Sequence, residues 1–107
     1  MKNVIQQLNK AFENNVRLGV MAALMVNSKL SFNELKDLLE LTDGNLASHL
    51  KALEKSEYVT VNKSFIGRKP NTTYKITSTG RQAFELHLKA LEELINQQNN
   101  TIKLGNK

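Results

Sequence analysis

Apolar residues recur along this chain at two periods, and the change from one to the other organises it. Val4, Ile5, Leu8, Ala11 and Phe12 follow the i, i+3, i+4 spacing of one helix face, which predicts a short amphipathic helix near the start. Polar residues 13–15 interrupt it. Residues 16 to about 26, including LGVMAALMV, are nearly all apolar and predict a fully buried second helix. SFNE at 31–34 has capping-box spacing, in which Ser31 accepts from the Glu34 amide while Glu34 reaches back. It opens a third helix with Leu35, Leu38 and Leu39 expected inward. LTDG at 41–44 ends that helix, and Thr42 is the expected cap of a fourth, 43 to about 56, in which Leu46, Leu50 and Leu53 share a face.

The period then drops to two. YVTVNKSF and TTYKIT alternate and are rich in β-branched and aromatic residues, with Val59 and Val61 on one strand and Tyr74 and Ile76 on the other. IGRKPN between them supplies Gly67 and Pro70 for a hairpin loop. Thr77 or Ser78 is expected to cap a last helix, 81 to about 97, before a flexible polar tail over 99–107. The prediction is one domain over 1–98, mainly α with a small β-hairpin. Two short helices around the tight turn LELTDG form a helix-turn-helix.

Composition narrows the chemistry. At 107 residues, 40% hydrophobic and 23% charged, the chain suits a single globular core. The apolar run at 18–26 is too short to span a bilayer, and MKNVIQQLNK lacks a signal peptide's apolar core and cleavage site. No membrane partner is expected, and the expected compartment is cytoplasmic. Cysteine is absent, which excludes disulfides, thiolate metal sites and cysteine nucleophiles. His49 and His87 have no companions at ligand spacing, so no metal or other cofactor is expected. Asp37, Glu40 and Asp43 read as helix-surface or cap residues, so no catalytic residue and no enzyme is expected either.

Charge suggests the partner. The balance is +5, with a pI near 9.6, which favours an anion such as nucleic acid. On the fourth helix Gly44, Ser48, Lys51 and Lys55 lie nearly opposite the leucines, at ~100° per residue, with Asn45 and Ala47 on the flanks. Small and amide-bearing residues can approach base edges, and lysines suit phosphates. The same face is also what any solvated helix presents, and Asp43, Glu54 and Glu57 make this segment slightly acidic. The hairpin says more. From 62 to 77 it carries Lys63, Arg68, Lys69 and Lys75, with the amide of Asn71, and not one acid. Arg68 and Lys69 at the expected tip suit a phosphate backbone or a minor groove. A charged turn that guards an edge strand against aggregation is the competing reading. His49, about 60° from the leucine centre, is expected either to touch the partner or serve as a proton switch, or else to be partly buried and hydrogen-bonded between helix and hairpin. Arg17 is expected to anchor helices, and His87 to pack or to face an interface.

Helix, helix, helix-turn-helix, hairpin, helix is the order of a winged helix. NNVRLGVMAAL, LSFNELKDLLELTDGNLASHLKALEKSEYV and GRKPNTTYKITSTGRQAF resemble the small winged-helix transcriptional regulators related to the MarR, ArsR and PadR groups. The resemblance covers about 14–84 and is greatest to compact stand-alone members. It implies a homodimer that binds double-stranded operator DNA, with helix 43–56 in the major groove and the wing on the backbone or minor groove. Residues so implicated are Gly44, Asn45, Ala47, Ser48, His49, Lys51 and Lys55, and on the wing Lys63, Arg68, Lys69, Asn71 and Lys75. The metal-sensing branch carries cysteines where this chain has FNELKDLL, so metal sensing is not implied. MarR-type wings commonly show Asp-x-Arg where this one has GRKP. No small-molecule effector is inferred.

Phe84, Leu88, Leu91 and Ile95 step by 4, 3 and 4 like a coiled-coil seam. Leu86, Ala90 and Leu94 widen it beyond the ~100° face that one domain uses. The spare surface is expected to meet a second copy through Val4, Ile5, Leu8, Phe12, Phe84, His87, Leu88, Leu91, Leu94 and Ile95. Alternatively the N-terminal helix covers it within one subunit. The competing function is a winged helix used for protein contacts, which predicts a mobile or apolar wing and no binding to DNA.

Overall fold

The computed structural model describes the backbone of residues 2–105 and the side chains of 4–97. Its elements are α1 (Lys2–Gln6), a 3-10 turn (Lys10–Phe12), α2 (Asn15–Val26), β1 (Leu30–Ser31), α3 (Phe32–Leu39), α4 (Asp43–Lys55), β2 (Val59–Ile66), β3 (Lys69–Ile76) and α5 (Ser78–Gly105). The helix starts follow from local side-chain chemistry. Ser31 Oγ accepts from the Glu34 amide at 3.0 Å, and the Glu34 carboxylate accepts from the Ser31 amide at 2.8 Å. This capping box satisfies two donors that the first turn of α3 leaves free. Thr42 Oγ1 accepts from the Asn45 amide at 3.3 Å and starts α4. Of the two candidate caps for α5, Thr77 serves, accepting from the Gly80 amide at 2.8 Å. The helix therefore starts at Ser78, and its backbone continues to Gly105, beyond the 97 that the apolar pattern suggests.

The sheet has three strands in the order β1-β3-β2, where the sequence pattern predicts only a hairpin. Leu30 and Ser31 pair with Tyr74 and Thr73. A two-residue strand is too short to show a period; it forms because β3 offers an edge whose backbone groups need partners. Between β2 and β3 the register sets Val59 against Ile76, Val61 against Tyr74, Lys63 against Thr72 and Phe65 against Pro70 on one face. Thr60 and Lys75, Asn62 and Thr73, Ser64 and Asn71, and Ile66 and Lys69 occupy the other. The turn is tighter than the expected loop. Only Gly67 and Arg68 lie outside the strands, and Gly67 takes φ 63, a hairpin conformation open to glycine.

The core gathers Phe12, Met21, Leu24, Leu35, Leu46, Leu50 and Leu53, all 0–1% exposed, with Val20, Val59, Tyr74 and Phe84 around them. Two expectations about burial change. Leu38 is 59% exposed, because Leu35 and Leu39 define the inward line of α3 and Leu38 falls to one side of it. The second helix is not fully buried either: Ala22 faces solvent, and Val26, in the last turn, lies beyond the core's edge.

A larger correction concerns the residues expected between two subunits. Phe12, Phe84, His87 and Val4 are buried within one chain. The 3-10 turn drives Phe12 between Tyr58, Phe84 and His87, with ring centroids 5.2–5.4 Å apart. α1 packs against α5 and covers part of its stripe. Ile5, Leu88, Leu91 and Ile95 stay exposed, and Leu8 and Leu94 are half-buried.

Candidate nucleic-acid interface

α3 and α4 form the helix-turn-helix. Leu46, Leu50 and Leu53 fix the inner side of α4 in the core, so the opposite side is solvent-facing by geometry. Gly44, Asn45, Ala47, Ser48, Lys51 and Lys55 are all exposed. A Cβ on Gly44 would meet no atom within 4 Å, so the glycine leaves open space at the start of the helix. The amides of the first turn and the positive end of the helix dipole face outward there.

An open groove of about 460 Å³ separates α4 from the wing. Ala47, Ser48, Lys51 and Glu54 line one wall, and Val61, Lys63 and Tyr74 the other. The structure thus brings Ala47, Ser48 and Lys51 together with Lys63. It does not bring in Asn71 or Lys75, which lie on the opposite sheet face by register. Asn71 is half-buried, and its carbonyl accepts from the Ser64 hydroxyl at 3.2 Å. Arg68 occupies the turn, Lys69 begins β3 beside it, and both are exposed. Burial, followed by the nearby Glu54 charge, pushes the Tyr74 hydroxyl above its usual pKa.

His49 corrects an expectation. It is half-buried, but it turns toward α2 rather than the wing, with Nδ1 3.0 Å from Arg17 Nη1. A guanidinium can only donate, so Nδ1 accepts and the imidazole proton belongs on Nε2. Arg17 also donates through Nε to the Ala11 carbonyl at 2.6 Å, tying α2, α4 and the 3-10 turn together as an anchor.

Sequence reasoning missed Lys36. Its ammonium pairs with Asp43 at 2.9 Å across the turn of the motif. The hydrogen bond to Asp43 and then that residue's charge raise the Lys36 pKa. The acid at the mouth of α4 is thereby partly neutralised. Spacing seven apart across a turn has no fixed geometry, so no pattern reveals the pair. Glu54, which the sequence marks only as an acid of the fourth helix, and Val61 and Tyr74, which it marks only as strand positions, also line the groove. Among the described residues no cluster of three or more His, Asp or Glu could hold a metal ion, and no helix is long and apolar enough to cross a membrane.

A helix-turn-helix with an outward polar face, flanked by a cationic β-ribbon, defines a winged helix. The chain belongs to the winged helix DNA-binding domain family, whose model matches residues 16–95. It is similar to an uncharacterized protein of Methanocaldococcus jannaschii, 41% identical over 85 residues, covering 79% of this chain and 92% of the relative. A transcriptional regulator homologue from Pyrococcus horikoshii superposes with a TM-score of 0.83 at 31% identity, over 92% of this chain and 98% of that one. S. aureus MepR, solved as a complex with DNA, shares the fold: TM-score 0.71, 16% identity, 99% of this chain and 87% of its own.

Proposed function

We propose that the chain is a sequence-specific, double-stranded DNA-binding transcriptional regulator that acts as a cytoplasmic homodimer, with 1–98 as its single binding unit. α4 enters the major groove, and the wing engages the backbone or minor groove. One observation carries the reading most: Gly44, Asn45, Ala47, Ser48, Lys51 and Lys55 of α4 are exposed beside a hairpin that has no acid between Glu57 and Glu85. Asn45 and Ser48 are the base-edge candidates; Lys51, Lys55, Lys63, Arg68 and Lys69 are suited to phosphates. Asn71 and Lys75, on the other sheet face, would meet DNA only where a strand passes behind the wing. His49 would reach DNA through Nε2, the ring nitrogen that Arg17 does not engage. The regulator homologue in Pyrococcus horikoshii and the DNA complex of MepR support this assignment.

Dimerisation is supported by apolar side chains left uncovered on one subunit. Ile5, Leu88, Leu91 and Ile95 are 38–58% exposed along α1 and α5. Two α4 helices about 34–36 Å apart would then read a palindromic site.

Selection of bound duplexes from a random library tests the assignment. A palindromic consensus is the expected result; recovery of no preferred sequence would defeat it. Arg68→Ala with Lys69→Ala should weaken binding to all duplexes and flatten the salt dependence by about 1–2 units of log–log slope. Asn45→Ala or Ser48→Ala should instead change the selected sequence.

A further inference from the structure

Phe65 and Ile66 are 72% and 70% exposed near the tip of the ribbon, where the other residues from 62 to 69 are polar, cationic or glycine. Their side chains alternate across the sheet. Phe65 shares its face with Val61 and Lys63, which wall the groove beside α4, and it stands directly across from Pro70. Ile66 points to the other face, opposite Lys69. The face that looks toward α4 thus ends in an apolar pair, about 13 Å beyond Val61 at four residues of strand rise. That reach is comparable to half a helical turn of duplex, roughly 17 Å.

We propose that Phe65 and Pro70 form an apolar wedge that enters the minor groove next to the one α4 reads and partly unstacks a base step there. This rests on the DNA-binding reading above and adds a contact of different chemistry to it. Flat apolar side chains at the end of a cationic arm can pack on sugar walls and pry open a step while the cations hold the phosphates. The duplex is the occupant that charge favours, because Lys63 shares the pair's face, Arg68 and Lys69 sit at the adjoining turn, and no acid lies between Glu57 and Glu85. The wedge should bend DNA and select a flexible pyrimidine–purine step under the wing.

The experiment compares the full chain with Phe65→Ala and Ile66→Ala on a duplex of about 30 base pairs selected by the unaltered protein, with fluorophores at its ends and 2-aminopurine under the wing. Energy transfer reports the bend, and 2-aminopurine brightening reports unstacking. Phe65→Ala is expected to lose both signals and to weaken binding about tenfold, while the salt slope and melting temperature stay put. Ile66→Ala is expected to retain bend and brightening. Wild-type bend and brightening in Phe65→Ala, or equal loss in both variants, overturns the wedge while leaving DNA binding intact. A fall in solution mass in Phe65→Ala with unchanged binding would assign the tip to protein contacts and also overturn it. Absence of any retained duplex with the unaltered chain would instead defeat the functional reading beneath it.

Discussion

Gly80 has no room for a side chain. A Cβ there would collide with the Tyr58 carbonyl oxygen, which is held in place by the Thr77 amide at 3.0 Å and hydroxyl at 3.2 Å. Gly80→Ala is therefore expected to cost about 1–3 kcal/mol of unfolding free energy in urea titration. His87 is another constrained site. Its Nδ1 accepts from the Asn9 amide at 3.0 Å, and burial lowers its pKa from the usual 6.5, opposed by the Glu13 charge. The unfolded chain takes up a proton that the folded one resists, so this contribution is intact above 6.5 and is lost as pH falls below it. The melting temperature should drop between pH 7.5 and 5.5, and less so in His87→Gln, whose amide oxygen can still accept. An equal drop in both would remove His87 as the cause. Arg17→Leu should cost stability and, by releasing His49, weaken DNA binding without altering the salt slope by a full phosphate contact.

At the scale of elements, the helix-turn-helix was legible in the sequence because each start carries a hydroxyl at capping distance and each inner face a leucine at helical spacing. Leu50→Ala, which empties part of a fully buried site, should cost about 2–5 kcal/mol by denaturant titration. The strands of the wing were legible from alternation, and its cations from their lack of acids. β1 was not, since two residues have no period. Nor could the pattern show which leucines of α5 were already covered: Phe12 reaches the ring cluster through a 3-10 turn whose geometry is not written in spacing. The candidates that line the groove are Ala47, Ser48 and Lys51 of α4 and Lys63 of the wing; register alone sets Lys75 and Asn71 on the other sheet face.

For the whole molecule, the uncovered leucines matter most. α5 spans 28 residues, about 42 Å at helical rise, and only part of its apolar stripe is met by α1. Leu88→Asp with Leu91→Asp places charge on exposed positions, so each subunit should fold while the solution mass halves in light scattering. Affinity for a palindromic duplex should then fall far more than affinity for a half-site, as linkage of two binding units requires. A mass that does not change would leave that surface to another role.

The pairing of Leu30 and Ser31 with Tyr74 and Thr73 reaches only the base of the wing. Past that point the ribbon has two strands, and such ribbons hold their shape weakly on their own. The wing is therefore a lever clamped at its root and compliant at its end. Amide exchange should be slow at Tyr74 and fast at Ile66 and Lys69, and a bound duplex should slow the latter pair, so that ordering the tip becomes part of what distinguishes one site from the next.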